Sequence, residues 1–400
     1  MTATVLGLLG ELEEEFEEGA SELELFFPRG RPGNFTVPPF SKFEAFDIEA
    51  PIDLELPPRK PRPVSLPECP PKPAYVDCPR PGIRPNAILD YFDFDRAVVK
   101  PGCHTLLIND IARRIVQSQS SVQPICSVLV VGHTDPVGSD DYNFQLGRRR
   151  AAAVADALCK RLRALRPKLA CSIKFQLATC GERQPKATPE LDRRVEVFFP
   201  APPVPKGCPP FKTRIRLHLK ILTRPTRFSI EAMLEGMRRV YEPAGFLVEV
   251  VSCEILKKPN LEDLDVFCPD IHQCCRCFPC PSNNLNAEHI ELFGNRNNAS
   301  VDEIVVYFVH RTIPNLNGTC AHPPGRPGVV IAARASQWTL AHETGHVLGL
   351  QHVAGEPCGS PVFVPTRLMT ACGTNRLPNV PTLIPAEIMT MGGSNVALPC

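Results

Sequence analysis

The chain has 400 residues, a formal net charge of +1 and 43% hydrophobic residues. This length exceeds one ordinary hydrophobic core and predicts two folded domains, while the balanced charge argues against a nucleic-acid-binding protein. No apolar run approaches the roughly 18 residues of a membrane-spanning helix, so we expect no transmembrane segment. The 18 cysteines favour disulfides formed in an oxidising compartment, with additional metal sites as the competing explanation.

Residues 1–82 form an acidic and then proline-rich leader. Eight glutamates and no basic residue lie between positions 11 and 25, and proline runs follow up to position 85. Such a segment cannot sustain a helix or bury enough apolar surface to fold, so we predict a disordered leader and semi-rigid spacer. Its composition is compatible with an export or docking address and equally with a plain linker.

The segment 83–200 alternates the apolar patterns that are typical of strands and helices. Residues 88–95 alternate like a half-buried strand, and residues 148–165 form a long amphipathic pattern. This alternation predicts a two-layer α/β sandwich. The predicted elements are strands at 88–95, 126–131, 172–178 and 194–199 and helices at 106–116 and 148–165.

Several short motifs in this segment give a more specific prediction. With these motifs in this order, the segment resembles the OmpA-like peptidoglycan-binding domains. The resemblance implies that the diaminopimelate-containing stem peptide of peptidoglycan is a partner and that Asp135 and Arg150 hold it. In chain order the motifs are Phe92-Asp93-Phe94-Asp95, Gly132-His133-Thr134-Asp135, Leu146-Gly147-Arg148-Arg149-Arg150-Ala151 and Leu191-Asp192-Arg193-Arg194-Val195-Glu196.

Asp135 and Arg150 also suit this ligand chemically. Diaminopimelate presents a carboxylate and an ammonium group on one carbon, which a guanidinium and a carboxylate held side by side complement. The plainer interpretations are a turn or cap residue for Asp135 and a solvated basic helix face for Arg150. The binding role is favoured because the two opposite charges match one zwitterion.

A proline-rich linker at 201–210 is predicted to separate this segment from a second domain, residues 211–400. Strand and helix patterns alternate there as well, and a cysteine-rich insert interrupts them. We expect the strand at 329–333 to form the edge of a sheet. The predicted elements are strands at 213–222, 246–252, 303–310 and 329–333, a helix at 229–241, and a final helix that carries the histidine motif.

This motif, A-H-E-T-G-H-V-L-G-L-Q-H, organises the second domain. His342 and His346 are four residues apart, so on a helix they face the same ion. Gly349 permits the positive φ that ends the helix and brings His352 back as a third ligand. Three neutral imidazoles suit Zn²⁺, and three protein ligands leave a fourth coordination position for water, as in catalytic zinc sites.

Glu343, which follows the first histidine, is the candidate general base. Zinc would acidify the water and polarise the scissile carbonyl, while Glu343 takes the proton and passes it to the leaving amine. This chemistry predicts hydrolysis of a protein or peptide substrate without a covalent intermediate. The alternative is a buried helix whose histidines are ordinary core or surface residues.

The full pattern H-E-x-x-H-x-x-G-x-x-H resembles that of the metzincin metallopeptidases. The resemblance implies a methionine in a tight turn beneath the zinc, and Met369 is the candidate, with ordinary core packing as its alternative role. Ala371 occupies the position at which some metzincins carry a tyrosine ligand, so we predict no tyrosine ligand. Substrate would lie extended along an edge strand above the metal.

The cysteine-rich insert contains Cys274, Cys277 and Cys280, which are spaced like the ligands of a thiolate zinc site. The sequence lacks the second Cys-x-x-Cys pair that usually accompanies the first one in a thiolate zinc site. Disulfides within an insertion loop are therefore the favoured alternative.

Together these patterns predict an α+β protein of two domains, in which an OmpA-like α/β sandwich precedes a metzincin-type zinc peptidase domain. We predict a zinc endopeptidase whose tether to bacterial cell wall concentrates it near wall-associated substrates. The alternative is a non-catalytic cell-envelope anchor or secretion-system cargo that binds peptidoglycan. Because the first ten residues lack a basic n-region, we expect export from the cytoplasm to the envelope or extracellular space without a Sec signal.

Overall fold

The strand β6, Thr213–Ile221, shows how the sequence builds the centre of the sheet. Its apolar residues alternate with Arg216, His218 and Lys220, and both sets are buried. Burying charged side chains is costly unless each has a partner. Arg216 and His218 both contact the carboxylate of Glu303, at 2.6 and 3.0 Å. The polar face of β6 is therefore stabilised inside the fold.

The computed structural model describes residues 73–121, 123–199, 211–266, 285–321, 325–353, 363–370 and 373–400. The predicted linker at 201–210 and the insert with Cys274, Cys277 and Cys280 lie outside these ranges, as do Ala371 and most of the predicted leader. Those parts of the sequence analysis stay predictions.

Strands in the described ranges are rich in β-branched and aromatic residues, which fit a pleated and buried surface. The longest of them are buried along almost their whole length. The strands are β1 Ala74–Tyr75, β2 Ala87–Leu89, β3 Ser127–His133, β4 Lys174–Gly181, β5 Val195–Phe198, β6 Thr213–Ile221, β7 Phe246–Ile255, β8 Asp263–Asp265, β9 Ile304–Val309, β10 Arg311–Ile313, β11 Gly318–Ala321, β12 Gly328–Ala332 and β13 Leu398–Pro399.

Two of the longer helices begin at serine caps. The Oγ atoms of Ser139 and Ser229 accept hydrogen bonds from the backbone N–H groups of Tyr142 and Ala232, which satisfies donors of the first helical turn. The helices are α1 Cys103–Ser118, α2 Asp140–Leu165, α3 Pro167–Ala170, α4 Pro189–Asp192, α5 Ile230–Tyr241, α6 Ala287–Gly294, α7 Thr339–Val347 and α8 Pro385–Gly392.

The strands form one continuous mixed sheet in the order β1-β4-β3-β5-β2-β7-β6-β9-β12-β11, with β13 also paired to β6. The strands β7, β6, β9 and β12 are parallel neighbours, and β11 runs antiparallel to β12. A small separate sheet pairs β8 with β10. Because β7, β6, β9 and β12 are parallel, the loops after β6, β9 and β12 emerge at the same end of the sheet.

Strands β2 and β7 join two segments that the sequence predicts as separate domains. Ile88 of β2 pairs in parallel with Ser252 of β7, and a disulfide links Cys103 to Cys253. The described residues all belong to one compact unit. Apolar periodicity identifies strands but not the partner of each exposed edge, so the sequence does not show that these segments share a sheet.

Buried ion pairs lie between α1 and the elements of the second segment. Arg114 Nη1 is 3.0 Å from Glu249 Oε1, and Asp110 pairs with Arg238. The second oxygen of Asp110 accepts from the backbone N–H of Val250 at 3.2 Å. Because each of these buried charges has a partner of opposite sign, the ion pairs can be buried away from water.

Two predicted strands differ from the observed ones. The strand at 88–95 ends at Leu89, because Tyr91 and Asp95 adopt φ values of 61° and 54° that no strand can contain. The strand predicted at the sheet edge, 329–333, is internal as β12, and β11 occupies the edge instead. β11 was missed because its four residues, Gly318–Ala321, carry no alternating apolar pattern.

Candidate functional site

The three predicted metal ligands lie on α7 and in the turn that follows it. His342 and His346 are four residues apart on this helix, and both are buried. The helix ends at Val347, and Gly349 adopts a φ of 95°, as the sequence predicts for this turn. The chain then reverses and places His352 beside the other two rings.

The Nε2 atoms of the three histidines form a nearly equilateral triangle. The distance from His342 is 3.2 Å to His346 and 3.2 Å to His352, and the third side is 3.1 Å. Among the described residues they form a group whose donor atoms could hold one metal ion. Two nitrogens of a tetrahedral zinc site lie roughly 3.3 Å apart when the Zn–N distance is about 2.05 Å. The spacing of the three donors therefore fits zinc.

Hydrogen bonds at the opposite ring nitrogens explain why these atoms converge. His342 Nδ1 donates to the carbonyl of Leu368, and His346 Nδ1 donates to the carbonyl of Leu350, both at 2.8 Å. A neutral ring that donates from Nδ1 carries a lone pair on Nε2. Two such lone pairs 3.2 Å apart repel each other unless a cation lies between them. The donor set therefore has the chemistry of a metal site.

Glu343 lies beside the histidines and lines a cleft of about 980 Å³. Burial raises the pKa of its carboxyl group to about 8 and lowers the pKa of His342 and His352 to about 4. In each case desolvation favours the neutral form. A Cβ atom at Gly318 of β11 would lie 2.9 Å from Glu343 Cγ, so the absent side chain lets the edge strand approach this carboxylate closely.

Met369 lies against the helix that carries the histidines. Its side chain is fully buried, and a Cβ atom at Gly345 would lie 2.8 Å from its sulfur. The carbonyl of Met369 accepts from the N–H of Val353 at 2.8 Å, directly after the third histidine. The preceding carbonyl, of Leu368, holds His342. The methionine turn thus contacts both chain segments that supply candidate ligands.

Arg150 occupies a buried position on α2, so its interpretation as part of a solvated helix face is wrong. Its Nε, Nη1 and Nη2 atoms donate to the carbonyls of Arg96, His133 and Asp93 at 2.9, 2.8 and 3.1 Å. Burial lowers its pKa to about 10, and the charge of Asp135 opposes this shift. The guanidinium therefore holds the loops around the site in place.

Asp135 lies near Arg150 and is also buried. It accepts a hydrogen bond from Arg193 Nη1 at 2.8 Å, and Arg193 Nε donates to the carbonyl of Phe92 at 2.9 Å. The structure therefore brings together the two residues predicted to bind diaminopimelate and adds a third charged one. The sequence analysis assigned no binding role to Arg193. Its position in the run Asp192-Arg193-Arg194 is the feature that could have indicated one.

Comparisons with known proteins identify the N-terminal part of the described chain. Residues 91–195 match the model of the OmpA family. Outer membrane porin F of Pseudomonas fluorescens is 42% identical over 69 residues, which cover 17% of this chain and 19% of that protein. Outer membrane porin F of Pseudomonas aeruginosa is 39% identical over 97 residues, which cover 23% and 26%. The chain therefore contains an OmpA-like domain, and it spans only about a fifth to a quarter of these relatives.

Solved structures similar to parts of the chain include the peptidoglycan-associated lipoprotein from Burkholderia pseudomallei. It is 24% identical with a TM-score of 0.23, and the match covers 28% of this chain and 88% of that one. Metalloproteinase-II from Bacteroides fragilis is 12% identical with a TM-score of 0.32, and the match covers 45% and 53%. TM-scores this low assign no activity to the chain.

None of the helices that the structure describes is both long enough and apolar enough to cross a membrane.

Proposed function

We propose that the protein is a zinc-dependent endopeptidase tethered to bacterial peptidoglycan by its OmpA-like domain. The observation that best supports catalysis is the convergence of three Nε2 atoms, 3.1–3.2 Å apart, beside a carboxylate in a cleft. A structural zinc site closes its coordination with four protein ligands, whereas a catalytic one keeps a position for water. Three ligands at the wall of a cleft support the catalytic arrangement.

Each residue of the site has a role in this proposal. His342, His346 and His352 would bind zinc through Nε2, and the outer hydrogen bonds of His342 and His346 would hold those two rings in the correct tautomer. Zinc bound there would supply Lewis acidity that polarises a carbonyl group and lowers the pKa of water. Glu343 would accept a proton from the attacking water and return it to the leaving amine.

The edge strand β11 would position the substrate. Among the described strands, β11 has one neighbour, β12, so its other edge can pair with an extended peptide. Gly318 at the start of β11 lies next to Glu343, so such a peptide would lie beside the candidate base. Backbone hydrogen bonds would hold the peptide in register, and the cleft would contact its side chains.

The OmpA-like domain would bind the stem peptide of peptidoglycan. Asp135 would attract the ammonium group of diaminopimelate, and the guanidinium groups of Arg150 and Arg193 would attract its carboxylate. Arg193 Nη1 lies 2.8 Å from Asp135 Oδ2, so a bound carboxylate and ammonium group would exchange partners with this ion pair. A protein tethered in this way would act in the cell envelope or outside the cell.

Protein digestion with a metal assay tests the catalytic half of the proposal. The purified protein is expected to contain zinc and to digest casein, with digestion lost on chelation and restored by added zinc. Glu343→Gln should retain zinc and lose digestion, because the carboxamide cannot accept a proton. Digestion that survives both chelation and Glu343→Gln would contradict the mechanism.

Sedimentation with purified cell-wall sacculi tests the tether. The wild-type protein is expected to sediment with sacculi, and Asp135→Asn should weaken this binding while preserving the shape of the side chain. Asp156→Asn is a matched control, because Asp156 is a partly exposed aspartate on α2 that pairs with Lys160. Equal sedimentation of both variants would contradict the assigned role of Asp135.

The second candidate function is a non-catalytic envelope anchor or secretion-system cargo. The match of residues 91–195 to the OmpA family favours the binding part of this function. Sacculus binding by a protein that contains no zinc and digests no substrate would support it over the peptidase.

A further inference from the structure

An arginine follows each of three neighbouring parallel strands, in a loop after β6 and after β12 and at the first residue of β10 after β9. Arg227 follows β6, Arg311 follows β9 and Arg334 follows β12. Backbone hydrogen bonds join these loops, from Thr226 N to the carbonyl of Ala333 at 2.8 Å and from Ala333 N to that of His310 at 3.2 Å. The three arginines therefore lie on one connected rim at the C-terminal ends of the strands.

This rim belongs to the cleft that contains the candidate metal ligands. Arg227, Arg311 and Arg334 line the same cavity of about 980 Å³ as His342 and Glu343. Of the described residues that line it, Glu343 alone carries a carboxylate. The rest of the lining is uncharged or basic, so the cleft presents positive charge to whatever enters it.

The three arginines are not equivalent, because one is already neutralised. Arg311 Nη2 lies 2.7 Å from Asp263 Oδ2, and the other oxygen of Asp263 is 2.7 Å from His310 Nδ1. Arg227 and Arg334 are exposed, and neither forms an ion pair with a described carboxylate. Their guanidinium groups are therefore the ones available to a carboxylate of a ligand, with which they can form charge-assisted hydrogen bonds.

Strand polarity determines which end of a bound peptide meets this rim. β11 is antiparallel to β12, with Gly318 opposite Ile331 at the C-terminal end of β12. A peptide that adds antiparallel to the free edge of β11 runs in the same direction as β12. Its residues beyond Gly318 and Glu343 then lead toward Arg334, which follows the end of β12. The rim faces the part of the peptide that is C-terminal to the bond beside Glu343.

We propose that Arg227 and Arg334 make the cleft selective for peptides with carboxylate side chains C-terminal to the scissile bond. This inference rests on the proposed peptidase function and adds a substrate class to it. A charge-assisted hydrogen bond in a partly enclosed cleft changes kcat/KM by roughly tenfold to a hundredfold. The selectivity decreases with added salt, because both arginines are exposed and screened.

Peptide cleavage with the full-length zinc-loaded protein tests this inference. Cleavage sites in a proteome-derived peptide mixture are read by mass spectrometry, and aspartate and glutamate should be enriched at the first positions after the cut. One cleaved sequence is then made with Glu, Gln or Lys at the enriched position. The value of kcat/KM should be at least about tenfold higher for Glu than for Gln, and lowest for Lys.

Charge reversal at the rim gives the decisive comparison. Arg334→Glu and Arg227→Glu should each reduce the Glu-to-Lys ratio of kcat/KM, and the double variant should prefer Lys. Arg239→Glu, an exposed arginine on α5 that is not among the residues lining the cleft, is the control outside it. The ratio is taken within each variant, so a general loss of activity cancels.

The outcomes separate this inference from the function on which it rests. Absence of cleavage by the wild-type protein would contradict the peptidase and the selectivity together. Cleavage with no enrichment of acidic residues, or a ratio that the rim variants leave unchanged, would contradict the selectivity alone.

Discussion

Cys103, the first residue of α1, and Cys253, in β7, form a disulfide between the OmpA-like domain and the part of the chain that carries the histidines. Their Cα atoms are 5.2 Å apart, although 150 residues separate them in sequence. The same boundary contains the pairing of β2 with β7 and the buried contact of Arg114 with Glu249. The cleft is therefore held in a fixed orientation relative to the OmpA-like domain.

Removal of this disulfide should lower stability without separating the two parts. For the double variant Cys103→Ser and Cys253→Ser, we expect the free energy of unfolding to fall by about 2–4 kcal/mol, because a long loop gains entropy in the unfolded chain. Denaturant unfolding measures this change. Cys126→Ser, at an exposed free cysteine, should leave it unaltered. A double variant as stable as the wild type would show that ion pairs and strand pairing alone hold the boundary.

Arg150 should be required for folding as well as for any binding role. Arg150→Ala removes three hydrogen bonds to carbonyl groups, of which that of His133 is buried and the other two are partly buried. Unsatisfied buried acceptors destabilise a protein by about 1–3 kcal/mol each before relaxation, so we expect a loss of at least about 2 kcal/mol in the free energy of unfolding. Thermal and denaturant unfolding test this directly. If Arg150→Ala unfolds like the wild type, the three hydrogen bonds are not structural, and Arg150 is free for a ligand.

The sequence predicts most of the elements near the candidate metal site because local patterns determine them. The spacing of His342 and His346 fixes one helix face, and Gly349 has the positive φ that the pattern requires. The edge strand β11 could not be predicted, because only its pairing with β12 stabilises it. For the same reason Gly318 was not recognised as a close neighbour of Glu343.

Long-range partners account for the other differences between sequence and structure. Arg150 lies on a helix with many basic residues, so its pattern resembles a solvated face. Its burial depends on carbonyl groups from loops more than fifty positions away, such as that of Asp93. The pairing of β2 with β7 likewise depends on which exposed strand edges come together. The periodicity of apolar residues in either strand does not indicate the partner.

Gly345 should be intolerant of a side chain because of Met369. In Gly345→Ala the new Cβ atom would lie 2.8 Å from the methionine sulfur, and Met369 is fully buried and cannot move into solvent. Overpacking of this kind typically costs about 1–3 kcal/mol, and it would displace the turn that holds His342. We therefore expect lower stability together with weaker zinc binding, measured by unfolding and by competition with a chromogenic chelator.

Gly294→Ala is the matched control for this substitution. Gly294 is the last residue of α6, and outside its chain neighbours and its own helix backbone no described atom lies within 4 Å of a Cβ placed there. Alanine should be neutral or should stabilise the helix by up to about 1 kcal/mol. Equal effects of the two substitutions on zinc affinity would show that Met369 does not support the metal site.

His289 should make the protein less stable in acid. Its ring is buried against Phe293, its Nδ1 atom has no hydrogen-bond partner in the described part of the structure, and burial lowers its pKa to about 4. In the unfolded chain the ring binds a proton near pH 6.5. Its contribution to stability is therefore complete above pH 6.5 and is lost as the pH falls toward 4, by up to about 1.4 kcal/mol per pH unit.

The variant His289→Phe tests whether His289 lowers the stability of the protein as the pH falls. Phenylalanine fills a similar volume and binds no proton, so the variant should match the wild type near pH 7 and exceed its stability at pH 5. Urea unfolding at a series of pH values gives the free energy of unfolding as a function of pH for each protein. If this free energy changes with pH equally in both proteins between pH 6.5 and pH 4, His289 binds a proton as easily in the folded protein as in the unfolded chain.

Zinc should stabilise the folded protein through the three histidines and independently of Glu343. An ion that binds only the folded state at a hundred times its dissociation constant adds about 2.7 kcal/mol to the free energy of unfolding. Chelation should therefore lower the melting temperature of the wild type and of Glu343→Gln by a similar amount. In His352→Ala one corner of the Nε2 triangle is missing, so chelation should have little effect. A chelator response that is lost in Glu343→Gln but kept in His352→Ala would place the metal on the glutamate and overturn the assigned ligand set.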